Sequence, residues 1–156
     1  DLDAAQLVAL LNSPLTPYAE VVVHHPMPLF HMEHCVIAAQ LSSGKDYRDC
    51  GRPCEQHQVS LRDRTGVMLP VEADVCCRNT VFHGKAQSAA EQVPVLLAQG
   101  VTRFRIELVR ESQHETEVLV NAYRELLEGA CAPVQLRKRL ADVGLSAIRG
   151  SLRVVG

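Results

Sequence analysis

Cys35, Cys50, Cys54 and Cys77 fall within one stretch of the chain, threaded through His31-Met32-Glu33-His34-Cys35, Cys50-Gly51-Arg52-Pro53-Cys54 and Cys76-Cys77-Arg78-Asn79. As thiolates, three or four cysteines gathered by a loop select iron-sulfur clusters or zinc over magnesium or calcium. Gly51, Arg52 and Pro53 form turns, and can fold the backbone so that Cys50 and Cys54 aim at one point. Cys35 and Cys77 then arrive from separate segments. Zinc is a strong rival, because a tetrahedral thiolate set suits it, although the paired CxxC knuckles of many structural zinc sites are absent. The six cysteines of the chain could also form three disulfides in any of fifteen pairings. Against that stand a chain read as lacking a signal peptide and a size above that of disulfide-dependent scaffolds. Free thiols packed as small hydrophobes are the plain alternative. Cys131 and one of the adjacent pair Cys76 and Cys77 are expected to be of that inert kind, since neighbours on a strand point to opposite faces.

The histidines and charged residues give fewer patterns. His31 and His34 flank Glu33, but the run is not the HExxH of a zinc protease, whose two histidines lie one helical turn apart. His31 and Glu33 are candidates to line a barrel mouth beside the cysteines, the alternative being a loop histidine bonded to backbone. His24 and His25 follow a strand and point apart, so they are not expected to share a metal. Arg105 and Glu107 alternate along a strand and so share a face. They could contact substrate, or form a structural salt bridge. No GxSxG occurs, and no cysteine has a dedicated histidine evident from sequence.

The elements that must position these residues follow from periodicity and punctuation. Asp1 or Asp3 caps a helix carrying Leu2, Leu7, Leu10 and Leu11, and Asn12, Ser13 and Pro14 stop it. Ala19 to His25 reads as a strand whose Val21, Val22 and Val23 are apolar on both faces, as in a covered parallel sheet. His57 to Asp63 and Val67 to Ala73 form a hairpin, with Gly66 free to take positive φ in the turn. Thr80 to His83 is a short strand. Ser88 and Glu91 read as a capping box for a helix that runs to Gln99 and ends at Gly100. Arg103 to Val109 is a strand and Gln113 to Glu128 a helix with Val118, Ala122 and Leu126 as its core stripe. Pro133 to Asp142 is a last helix, docked on the surface. This alternation is the grammar of βα units with a right-handed crossover. A full (β/α)₈ barrel takes about 250 residues, so the fold expected is α/β, a partial barrel-like domain with an inserted cysteine-rich loop and β-hairpin. In isolation its Val21 to Val23 strand would leave an open apolar edge.

Composition sets wide bounds. The 156 residues are 47% hydrophobic and 22% charged with net charge −2, enough for one domain's core. No run approaches the ~18 apolar residues of a membrane span, and no basic block advertises nucleic acid. Arg103, Arg105 and Arg110 with Arg137, Lys138 and Arg139 are the only candidates for a local basic patch, and a solvated helix face explains the second group as well. A reduced, cytoplasmic setting is expected.

The blocks Pro28-Leu29-Phe30-His31-Met32-Glu33-His34-Cys35, Asp49-Cys50-Gly51-Arg52-Pro53-Cys54, Leu61-Arg62-Asp63-Arg64-Thr65-Gly66, Cys77-Arg78-Asn79 and Phe104-Arg105-Ile106-Glu107, in this order, resemble the collagenase-like peptidase family, the thirty-second among peptidases of unknown type. The resemblance covers residues 1–129, with a cysteine insertion at about 34–79; residues 130–156 form a C-terminal helix and tail outside it. It implies the C-terminal part of a barrel-like α/β domain whose longer N-terminal part this chain lacks, so that this missing half or a second subunit is an expected partner. It also implies an oxygen-sensitive 4Fe-4S cluster held by Cys35, Cys50, Cys54 and Cys77. Many relatives carry a further cysteine where this chain reads Val36-Ile37-Ala38-Ala39-Gln40, which leaves the fourth ligand open. The activity implied is a part in hydroxylation of tRNA or ribosomal RNA, or of a quinone precursor; a collagenase-like peptidase and a noncatalytic zinc module are the alternatives.

Overall fold

A computed structural model of the chain describes residues 2–14, 16–44 and 46–149. Among them it shows a mixed α/β structure with two sheets and six α-helices. The chain divides into two compact units: one from residues up to Pro26 together with those from Lys85 onward, the other from Met27–Gly84. Asp1 and the tail beyond Arg149, both part of the sequence expectations, lie outside the described residues.

In the first unit, helix α1 (Ala4–Leu11) begins where Asp3 accepts the Gln6 amide at 2.8 Å and the Gln6 side chain accepts the Asp3 amide at 2.9 Å, a reciprocal capping box. Strand β1 (Glu20–His25) then runs through the centre of a three-stranded sheet. Its parallel neighbour is Arg103–Ile106 and its antiparallel neighbour is Gln87–Ser88. Among the described residues, the edge expected at Val21 to Val23 is thus filled by the parallel strand on one side, whereas on the other the antiparallel strand pairs with His24 and His25 and only the Ala89 amide reaches the Val23 carbonyl, at 2.9 Å. Nor is β1 apolar on both faces: Val21 and Val23 are buried, whereas the half-buried Val22 shares its face with Glu20, which is ion-paired to Arg105. Alternation of charge with Val explains this, since in a pleated strand only every second residue must face a core.

The register of β1 is interrupted once. Val22 stands opposite Arg105, and His24, not Val23, stands opposite Ile106. Val23 is the extra residue of a β-bulge, so Val23 and His24 are both buried although they are adjacent. The bulge returns His25 to the face of Glu20 and Val22.

The second unit contributes β2 (Pro28–Met32), α2 (Val36–Leu41), α3 (Pro53–Gln56), β3 (Val59–Arg62), β4 (Met68–Ala73) and β5 (Asn79–Phe82). The strands form one antiparallel sheet in the order β2-β5-β4-β3. Asp63 organises the expected hairpin turn, accepting from the amides of Thr65 and Val67, and Gly66 takes φ 90°. Strand β5 closes this unit and does not open the βα alternation expected of it. Its apolar Val81 pairs with Val71 of β4, and both bury against Ile37 of α2.

The chain then re-enters the first unit through β6 (Gln87–Ser88), α4 (Val93–Ala98), β7 (Arg103–Ile106), α5 (Gln113–Leu127) and α6 (Pro133–Asp142). The Ser88 and Glu91 capping box does not form. Ser88 sits in β6, its hydroxyl is 2.8 Å from the Tyr123 hydroxyl, and Glu91 pairs with Arg137 at 2.9 Å. A 3₁₀ turn, Ala90–Gln92, leads into α4 instead, with proline in its first turn, where the missing N–H costs nothing. Gly100, at φ 87°, ends the segment as expected. In α5 the buried residues are Leu119, Ala122, Tyr123 and Leu126, with Val118 beside them. Helix α6 belongs to the core and not to the surface, because Leu136 and Leu140 are fully buried in the same cluster. Tyr123 joins three elements: its hydroxyl donates to the Val23 carbonyl at 2.7 Å and meets Ser88. No helix among the described residues is long and apolar enough to cross a membrane.

His24 is buried to 1% exposure edge-on to Tyr123, with neither ring nitrogen hydrogen-bonded among the described residues. Burial lowers its pKa below the ordinary 6.5, the Glu111 carboxylate opposing and His25 adding to the shift. The folded state therefore holds a neutral ring while the unfolded chain takes a proton first as pH falls. The His24 contribution is complete above the unfolded pKa and is lost as pH drops through that value toward the folded one. We expect unfolding free energy, measured in urea, to decline from about pH 7.5 to about 5.5, and His24→Leu to flatten that decline. An equal decline in the variant would remove His24 as its cause.

Candidate functional site

All the candidate thiols lie in the second unit. Cys35 is the N-cap of α2, its sulfur accepting the Ala38 amide at 3.4 Å. Asn79, which is fully buried, fixes this end of α2: its Oδ1 accepts the Val36 amide at 2.8 Å and its Nδ2 faces the Cys35 sulfur at 3.8 Å. Cys50 closes a turn in which its thiol faces the Tyr47 carbonyl at 3.9 Å. Gly51 and Arg52 follow with left-handed backbones, φ 68° and 49°, and Pro53 starts α3, which carries the exposed Cys54. The turn-forming trio bends the backbone between the two cysteines as its residue types suggest.

Cys77 is placed differently. It sits in a loop closed by Asp74, whose carboxylate accepts the amides of Cys76 and Arg78 at 2.8 and 3.0 Å and binds the Arg78 guanidinium at 2.7 Å. Cys77 itself adopts φ 62°. The only two described non-glycine residues with positive φ, Arg52 and Cys77, thus lie within the cysteine motifs. Left-handed backbone is costly for such residues and persists where the surroundings impose it. The Arg78 side chain holds the Asp74 carboxyl below the usual carboxylate range, with backbone amides adding to this.

These segments surround one cavity of about 810 Å³, lined by Cys35, Cys50, Cys54, Cys76 and Cys77 together with Glu33 and His34. Partial burial pushes the Cys77 thiol up, and the neighbouring Cys35, Cys50 and Cys54 thiols add to the shift, as like charges at close range must. Among the described residues, no group of three or more histidine, cysteine, aspartate or glutamate side chains is arranged to hold a single metal ion.

One expectation about the remaining thiols needs amending. Cys76 is exposed at the cavity and not an inert buried thiol, because the pair lies in the Asp74 turn, where strand alternation does not apply. Cys131 packs against the core of the first unit as a free, half-buried thiol, in keeping with the expectation; it faces the Ala122 carbonyl at 3.7 Å, and burial pushes it up.

The structure separates the other candidates. Glu33 lines the cavity, but His31 is not among its lining residues and shares a hydrogen bond with Thr80 at 3.0 Å. Arg105 and Glu107 do share a face: they pair at 3.1 Å in the first unit, Arg105 also reaches Glu20 at 3.2 Å, and Glu107 contacts His25. Arg137 and Arg139 are likewise ion-paired, to Glu91 and Glu125. Sequence reasoning passed over Asp74 and Asn79, which hold the cysteine loops. Asp74 had a signal, since an Asp two residues before a backbone turn commonly forms an Asx-turn. The burial of Asn79 had none.

Gly44 gives this site a steric test. A Cβ there would lie 2.4 Å from the Asp49 carbonyl oxygen and 2.6 Å from its carbon. Both are backbone atoms of the residue before Cys50. Gly44→Ala must therefore displace the segment that delivers Cys50. The expected result is a changed rate of Cys50 labelling by a thiol reagent with the first unit's melting transition unchanged; an unaltered rate in the variant would show that this loop adapts.

The chain is thus a mixed α/β protein whose second unit gathers five thiols around one cavity. The chain matches peptidase family U32 over residues 3–147 and belongs to that family. The match continues past Gly129, through α6. No curated protein and no solved structure gives a match.

Proposed function

We propose that this chain is the cluster-binding part of an iron-sulfur protein that takes part in hydroxylation of RNA, or of a quinone precursor. The observation that carries this reading is the convergence of Cys35, Cys50, Cys54 and Cys77 on one cavity. The donor chemistry fits. All four are soft sulfur ligands, and a four-iron cluster is larger than one ion, so its ligands stand farther apart than those of mononuclear zinc. The four thiols line one cavity, which is what supports their assignment to a common cofactor. A zinc module remains the alternative occupant.

Cys35, Cys50, Cys54 and Cys77 would hold a 4Fe-4S cluster, with Cys76 the nearest substitute for the fourth position. When bound, such a cluster supplies one-electron and ligand-exchange chemistry that amino-acid side chains lack. The protein's own part is positional. Asn79 fixes the α2 end that carries Cys35; Asp74 and Arg78 close the loop around Cys77; Glu33 and His34 give the cavity a polar wall for substrate. Arg105 and Glu107 are proposed to act in the first unit, whose parallel β1 and β7 are compatible with a part-barrel completed by a further segment or subunit.

The family's title speaks for a hydrolase, but none of the cysteines among the described residues is hydrogen-bonded to a histidine, and a thiol nucleophile needs such a base. The test is anaerobic purification followed by a visible spectrum and iron, sulfide and zinc content per chain. Iron with matching sulfide and broad visible absorbance is the expected result. Zinc alone, or no metal, would overturn the cluster reading.

A further inference from the structure

His25 lies outside the cysteine unit and has no role in the reading above. Its placement comes from the β1 bulge. Without the extra residue at Val23, strand alternation would set His24 on the face of Glu20 and Val22 and turn His25 toward the core. With it, His24 is buried with neither ring nitrogen hydrogen-bonded among the described residues, and His25 emerges beside Glu107.

The contacts around His25 form a chain. Glu107 Oε2 meets His25 Nδ1, Glu107 Oε1 takes Arg105 at 3.1 Å, and Arg105 reaches Glu20 at 3.2 Å. The Glu107 amide donates to the His24 carbonyl at 2.9 Å, which fixes the carboxylate's backbone against the strand that carries the histidine. A carboxylate can only accept, so Nδ1 carries the proton and the neutral ring keeps its lone pair on Nε2. Nε2 has no partner among the described residues, and the side chain is 37% exposed. Two carboxylates against one guanidinium leave a negative charge that an imidazolium would compensate. A structural ion pair needs only Arg105 and Glu107; the oriented, open imidazole is additional. It stands at the C-terminal ends of the parallel strands β1 and β7, where open α/β sheets place their chemistry.

We infer that His25 Nε2 is a proton-transfer site for a protic substrate group, a water or a hydroxyl. The Nε2 lone pair takes the proton as the O–H bond breaks, the oxygen keeps the bonding electron pair, and Glu107 holds the imidazolium until the proton is returned. Glu107 is the positioning residue, and no metal or oxidant enters the step. The inference does not depend on what the cysteine cavity holds.

The test is modification of the full chain by diethyl pyrocarbonate, followed residue by residue in peptide maps. His57 and His114, which are more exposed than His25, serve as references. The expected result is that His25 is modified at Nε2 faster than both, and that Glu107→Gln abolishes this lead. A His25 no faster than the references, or a lead that survives Glu107→Gln, would overturn the inference. Should that variant fail to fold, ¹⁵N NMR of the unaltered protein decides: a proton on Nδ1 of neutral His25 supports the site, and a proton on Nε2 ends it.

Discussion

Replacing Cys50 and Cys54 together by alanine will leave the anaerobically purified protein without bound iron, while Cys131→Ala will leave its iron and sulfide unchanged. The contrast follows from where the sulfurs lie. Cys50 and Cys54 flank a Gly51-Arg52 pair held in left-handed backbone, and both line the cavity; a cluster losing two thiolates on one side loses half its protein ligands. The Cys131 thiol faces a helix carbonyl in the first unit. Folding does not confound the result. Cys54 is exposed and Cys50 half-buried, so truncating them removes little core packing, and circular dichroism of the apo-proteins should match. Full iron retention in the double variant would end the ligand assignment. Retention only in Cys77→Ala would instead move the fourth position to Cys76.

What the sequence revealed and what it concealed divide along one physical line. Signals that depend on a few adjacent residues were legible: the Asp3 cap, the hairpin turn closed by Asp63 and Gly66, the Gly100 stop, and the turn that brings Cys50 toward Cys54. Helices α5 and α6 were legible too, since amphipathic spacing over ten or more residues is a strong signal. Signals that depend on distant partners were not. Ser88 and Glu91 have capping-box spacing, but the Tyr123 hydroxyl, 35 residues on, takes part of the Ser88 hydroxyl's hydrogen bonding and Arg137 takes the glutamate. Strand β5 has the composition to start a βα unit, yet β2 and β4 claim both its edges. The bulge at Val23 leaves no mark in a run of valines, though it decides which of two adjacent histidines is buried. Asn79 is the sharpest case, because a polar residue beside Cys77-Arg78 reads as surface loop until its partners on α2 are known.

Asn79→Ala should accordingly be the most destabilising single change in the cysteine unit outside its apolar core, by about 2–4 kcal/mol. The side chain is fully buried and satisfied at both ends, by the Val36 amide at 2.8 Å and the Cys35 sulfur at 3.8 Å. Alanine would strand the Val36 donor in a partly buried position, a loss of about 1–3 kcal/mol, and would leave a void between β5 and α2. No nearby water-filled surface can substitute, since Asn79 itself has no exposure. Urea unfolding reports the size of the effect, and amide exchange reports its location: Val36 and Ala38 should lose protection first, while Tyr123 and Leu140 in the other unit keep theirs. The consequence for function is separable from stability. Below the unfolding transition the variant retains every thiol, yet Cys35 is no longer fixed, so iron should bind and then be lost faster than from the unaltered protein. A stability change under about 0.5 kcal/mol with unaltered exchange at Val36 would mean that the α2 terminus is held by its own cap at Cys35, and that Asn79 merely fills space.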